Sequence, residues 1–143
     1  MKGKIFASIS LILILMLLLC SCGSAAKLTE YDFGSDKVPS VNAVIQQERK
    51  VTGVDVGTNN GVQYKQYTYE TTTMVDDLAV YTTYLRNSGW EVTKDYDFTE
   101  GSGMAELAIN SADSGKVLVM SIAFEPYTYA IRVNKLVGEL TSD

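Results

Sequence analysis

Histidine is absent from this chain of 143 residues, cysteine occurs twice and proline twice. Without His, the Ser-His-Asp and Cys-His catalytic arrangements and every His-containing zinc site are excluded. Two Cys cannot supply a four-thiolate metal site or an iron–sulfur cluster. No cofactor fingerprint is present, so no cofactor is expected. Cations are scarce: 12 Lys and Arg stand against 17 Asp and Glu, a formal charge of −5. Nucleic acid is therefore not an expected partner, because phosphate backbones are held by clustered Lys and Arg. What is plentiful is apolar surface, 46% of residues against 20% charged, which is the balance of a globular chain rather than a disordered one. The length suits one folded domain, since domains mostly run to about 100–150 residues.

The first 26 residues carry only two charges, Lys2 and Lys4. An almost unbroken apolar run, Ile5 to Cys20, follows them. A positive start and a short apolar stretch are the parts of an export signal. The run is too short for a transmembrane helix, which needs about 20 apolar residues. Leu19-Cys20-Ser21-Cys22-Gly23 then resembles the lipobox of bacterial lipoproteins, with Leu19 at −3, the small Ser21 at −1 and Cys22 at +1. Cys20 is a poorer acceptor, because Leu19 would then stand where a small residue is expected. The resemblance covers residues 1–23. It implies a signal peptide over 1–21, a diacylglycerol on Cys22, and a protein held on the outer face of the bacterial cytoplasmic membrane. Two acyl chains at about 0.8 kcal/mol per buried CH2 anchor stably. Removal of Lys2 and Lys4 leaves ten basic residues against 17 acidic, a mature formal charge of −7.

Residues 22–36 read as the lipidated Cys and a flexible tether, spanning about 20 Å r.m.s.. A single domain is expected over 37–136, with a frayed tail at 137–143. A short helix, Val41 to Gln47, starts near Pro39-Ser40. Two β-rich runs, Glu48–Gly57 and Val62–Glu70, flank Asn59-Asn60-Gly61, a strong hairpin signal. Tyr64 is out of phase with Tyr67 and Tyr69, which suggests a bulge near Lys65. Met74 to Ser88 is a helix with the buried stripe Met74, Leu78, Tyr81 and Leu85. Thr73 and Asp76 suggest a capping box, and Gly89 a left-handed cap. Four strands follow, over Trp90–Phe98, Met104–Asn110, Lys116–Phe124 and Tyr127–Val133. The third is apolar on both faces and so belongs at the centre. Short connections make these strands antiparallel neighbours. The fold expected is α+β: a two-layer sandwich of one main helix on a mostly antiparallel sheet, in the order β-hairpin, helix, four-strand meander. The outline is similar to the cystatin-like grip, a likeness of element order that carries no functional residues.

Few constellations suggest chemistry. Asp95 and Asp97 would share a strand face about 7 Å apart, the arrangement of a general acid and base pair; the plainer reading is the wet face of an amphipathic strand. Asp95, Asp97, Thr99 and Glu106 fall at places 1, 3, 5 and 12 of an EF-hand-like loop, a weak Ca2+ candidate, since Glu100 stands where that loop needs Gly. Gly101-Ser102-Gly103 and Ser111–Lys116 read as turns rather than phosphate loops. The nine Tyr are the most suggestive feature. Tyr64, Tyr67, Tyr69, Tyr127 and Tyr129 form two clusters that read either as cross-strand packing or as a contact surface for a protein or a sugar. The expected function is a non-catalytic binding or interaction module with an envelope protein or small ligand as partner. Cell-wall carbohydrate binding and a small carboxylate-dependent hydrolase are the alternatives.

Overall fold

The computed structural model describes residues 27–141. The expected signal segment, the expected lipidation site Cys22 and the first part of the expected tether lie outside them. The described chain runs β1 (Glu30–Asp32), β2 (Lys37–Pro39), α1 (Val41–Ile45), β3 (Lys50–Asn59), β4 (Val62–Glu70), α2 (Met74–Asn87), β5 (Glu91–Lys94), a 3-10 turn (Phe98–Glu100), β6 (Gly103–Asn110), β7 (Lys116–Glu125) and β8 (Thr128–Val137). It is an α+β sheet-plus-helix fold. The sheet is antiparallel, in the order β3-β4-β8-β7-β6-β5, and β1 pairs with β2 as a separate hairpin.

The meander β5 to β8 forms, with short loops at β6–β7 and β7–β8 and a longer connection through the 3-10 turn at β5–β6, and β7 lies inside the sheet between β6 and β8. Its alternate residues Leu118, Met120, Ile122 and Phe124 point into the core. The helix stripe Met74, Leu78, Tyr81 and Leu85 meets them in one buried cluster. Gly89, with φ 92°, ends α2 by the expected left-handed cap; its N–H bonds Arg86 O and that of Trp90 bonds Leu85 O. At the β3–β4 turn, Asn60 and Gly61 have φ 50° and 80°, as the Asn-Gly pair demands.

Several expectations are corrected. The segment up to Asp36 is not all tether. Tyr31 is fully buried and Phe33 nearly so, and β1 and β2 lie over β4 and β8 on the helix-bearing face. The domain therefore includes at least Glu30 onward. The short helix ends at Ile45, and its N-cap is Ser40, whose Oγ accepts from Ala43 N. β4 has no bulge at Lys65. The irregularity is in β3, between Val51 and Gly53. Tyr64 is out of phase because it belongs to the other face, opposite Tyr67 and Tyr69. No capping box forms at α2, since the Thr73 hydroxyl is turned to Asp77 instead. The strand from Trp90 stops at Lys94, where its pairing with β6 ends at Glu106. The tail is not free throughout: Val137 closes β8, and Leu140 N donates to Asn110 Oδ1 at 2.8 Å.

Candidate functional site

The five tyrosines do not make one surface. Tyr69 and Tyr129 are core residues, stacked with ring centroids 5.2 Å apart. Tyr67 stacks on the buried Tyr31 at 5.0 Å. Tyr64 stands on the opposite face, donating to Asp55 Oδ1 at 3.1 Å beneath the Arg132 guanidinium, 4.1 Å from its ring centroid. Only Tyr127 of the five is fully open, at the β7–β8 turn. Strand alternation separates Tyr64 from Tyr67 and Tyr69, and Tyr31 of the N-terminal hairpin meets both of the latter.

The acidic candidates are also dispersed. Asp95 lies in an exposed loop rather than on a strand. Asp97 turns back on its own segment, accepting from Thr99 N at 2.8 Å and Thr99 Oγ1 at 2.6 Å. These bonds hold its carboxyl below the usual range. Glu106 on β6 accepts from Thr93 Oγ1 at 2.9 Å. Asp97 and Glu106 thus each commit one carboxylate oxygen to a neighbouring threonine. Among the described residues no group of three or more His, Cys, Asp or Glu converges as a metal site.

Two charged clusters lay beyond the sequence reading. In the first, Arg49 grips Asp77 with Nε at 2.6 Å and Nη2 at 2.7 Å. Thr71, Thr73 and Tyr129 hydroxyls donate to the same carboxylate. Burial pushes the Asp77 carboxyl up, but Arg49 and the two threonines outweigh it and hold it low. In the second, Lys135 Nζ lies 2.7 Å from Asp36 Oδ2 and 2.6 Å from Asp113 Oδ2. Asp36 also accepts from Ser111 Oγ at 2.6 Å and Ala112 N at 2.7 Å. Burial alone would raise Asp36; Lys135, Ser111 and Ala112 together lower it. The Lys135 bond brings Asp113 down to about 2. A signal for both was present: Lys135 continues the inward phase of Tyr129, Ile131 and Val133, and Asp77 adjoins the helix stripe. Both clusters are saturated by partners within the fold.

An open groove of ≈ 780 Å³ lies at the end of the β3–β4 hairpin, lined by Thr58, Asn60, Gln63, Lys116 and Lys135 among others. It offers the amides of Asn60 and Gln63 and the ammonium of Lys116, Lys135 being engaged by Asp36 and Asp113. A second open feature is the sheet face opposite the helices. Tyr64, Gln66, Ser121, Arg132 and Asn134 are half-buried there and Ala123 is exposed. Residues 138–140 cross it only at the Asn110 end, where Gly138 N bonds Gly115 O. Both helices and the β1–β2 hairpin are on the other side. Comparison of the chain with protein-family models, with curated proteins and with solved structures finds no match.

Proposed function

We propose that this chain is a membrane-anchored, extracytoplasmic lipoprotein whose domain acts as a non-catalytic binding module for a protein of the cell envelope. Leu19, Ser21 and Cys22 support the location through the lipobox resemblance. The observation that carries the binding role is the open outer face of the sheet, where Tyr64, Gln66, Ser121, Arg132 and Asn134 lie only half-buried. A broad face of mixed polar and small side chains suits a protein surface. Small-molecule sites, by contrast, are concave and enclose most of their ligand. The electrostatics favour the same reading. The carboxyls of Asp36, Asp77, Asp97 and Asp113 are all held low, so each is an ionised acceptor near neutrality and none a proton donor.

The test is photo-crosslinking in intact cells, with the reactive residue placed in the full lipoprotein at Gln66 or Ser121. The expected result is one envelope protein attached in stoichiometric yield from these positions, and not from Asp76 on α2. Wall fragments alone, or no adduct, would move the reading to a small ligand or a substrate. Incorporation of labelled palmitate, lost in Cys22→Ser, tests the anchor separately.

A further inference from the structure

β3 is an edge of the sheet, and its outer side has no partner strand among the described residues. Natural edge strands of this length are guarded by charge, proline, a bulge or a covering segment. β3 has no proline, and its two charges are both engaged with β4. Lys50 Nζ reaches Glu70 Oε2 at 3.1 Å, and Asp55 Oδ1 receives the Tyr64 hydroxyl. The only bulge lies near its start, at Thr52. Val54 and Val56 are 60% and 53% exposed on the helix-bearing face. The other edge of the sheet, β5, is short and itself irregular.

The strand's own geometry selects a partner. Asn60-Gly61 is a two-residue turn with positive φ at both positions, so Asn59 and Val62 exchange backbone bonds across it. The antiparallel alternation then turns the N–H and C=O groups of Thr58, Val56 and Val54 away from β4, toward the free edge. The straight run beyond the bulge is Gly53–Asn59, and Val56 is its midpoint. An identical strand laid antiparallel about Val56 overlaps this whole run and sets outward groups against outward groups. Val54 then stands opposite Thr58 of the partner subunit, and Asp55 opposite the partner's Gly57. An axis at Asp55 would set two carboxylates against each other, which is destabilising. An axis at Gly57 would shorten the overlap.

We propose that two copies of this chain join along β3, antiparallel about a two-fold axis at Val56, to form one sheet continuous through both. The contact is isologous, as two-fold dimers require. It satisfies the open backbone groups and brings the exposed valines of both copies together on the helix-bearing face. The outer sheet face stays free, so this inference does not rest on the binding reading above.

Sedimentation equilibrium of the full chain in density-matched detergent tests it. The expected result is a dimer that dissociates on dilution. Val56→Lys sets like charges on the axis. Thr58→Pro removes an outward N–H and no bond to β4. Each is expected to halve the mass while melting with the wild type at dilutions where all are monomers. Should Val56→Lys fail to fold, Val56→Cys decides: mild oxidation should link it to its copy above the parent chain's background, and should not link Ala123→Cys. Antiparallel pairs across such an axis lie within disulfide reach. A wild-type monomer at every concentration overturns the proposal, including the case in which β3 captures an extended segment of another protein. A dimer indifferent to Thr58→Pro, or an unlinked Val56→Cys, overturns it equally.

Discussion

The hydroxyl oxygens of Tyr31 and Tyr69 lie 2.7 Å apart, and both rings are sealed from solvent. One comes from the N-terminal hairpin and the other from β4. Val41 N approaches the Tyr31 hydroxyl at 3.4 Å, and Tyr81 sends its own to Pro39 O at 3.0 Å. These bonds sew β1, β2 and the start of α1 to the sheet and to α2. The segment around Tyr31 is thus part of the core.

Tyr31→Ala is expected to cost about 3–5 kcal/mol, the loss typical of a large buried aromatic. Tyr31→Phe should cost about 1–3 kcal/mol, since it strips the Tyr69 hydroxyl of its buried partner. Urea unfolding of the two variants measures both. A midpoint unchanged in Tyr31→Ala would return this residue to the tether.

Lys135→Met is expected to destabilise by about 3–5 kcal/mol, because Asp36 would be left charged among buried groups. Adding Asp36→Asn to Lys135→Met should recover part of that loss. A double-mutant cycle reads the coupling; additive losses would show that the pair is not an energetic unit.

Acid should loosen the fold. Asp36, Asp77 and Asp113 all have carboxyls lowered by folding, so the unfolded chain takes up protons first as pH falls. Their stabilisation is complete above the unfolded value of about 3.9 and is lost on descent through the folded values, near 2 for Asp113. Thermal melts from pH 5 to pH 2 should show a falling Tm. A flat profile across that range would contradict the saturated clusters.

Alkali should act through the tyrosines. Burial raises the phenols of Tyr31, Tyr69, Tyr81 and Tyr129 well above the ordinary value of about 10. The folded chain then holds protons that the unfolded chain gives up, so stability falls as pH rises past about 10. Spectroscopic titration should find these four ionising together with unfolding.

Much of the fold was legible because its signals are local. The Asn60-Gly61 turn, the Met74–Leu85 stripe and the Gly89 cap each depend on residues close in sequence. The pairing of β6, β7 and β8 followed from loops too short to allow any other neighbour. The β5 reading failed past Lys94 because a strand needs a partner as well as a pattern. Trp90 and Phe98 still reach the core, yet the chain between them leaves the ladder. Gly103 opens β6 rather than belonging to the turn before it, and a Cβ there would meet the Phe124 ring at 2.8 Å.

The candidate site was less legible, since tyrosine is amphipathic and its type does not reveal its burial. Tyr69 and Tyr127 look alike in the sequence; one is sealed under α2 and the other stands in water. Asp77 and Asp95 look alike too, until Arg49 arrives from 28 residues away to hold one of them.

The sequence by itself determined the order of the elements from α1 onward, the sign and scarcity of charge, the absence of imidazole chemistry and the lipobox resemblance, for these reside in neighbouring residues or in composition. Only the tertiary structure decided that β4 pairs with β8 to close the sheet, that Tyr31 and Phe33 belong to the core, and that Lys135 meets Asp36 and Asp113. Those contacts join residues far apart in the chain. No local preference encodes them; they form because burying the apolar faces of distant segments brings their polar groups together, where each must find a partner.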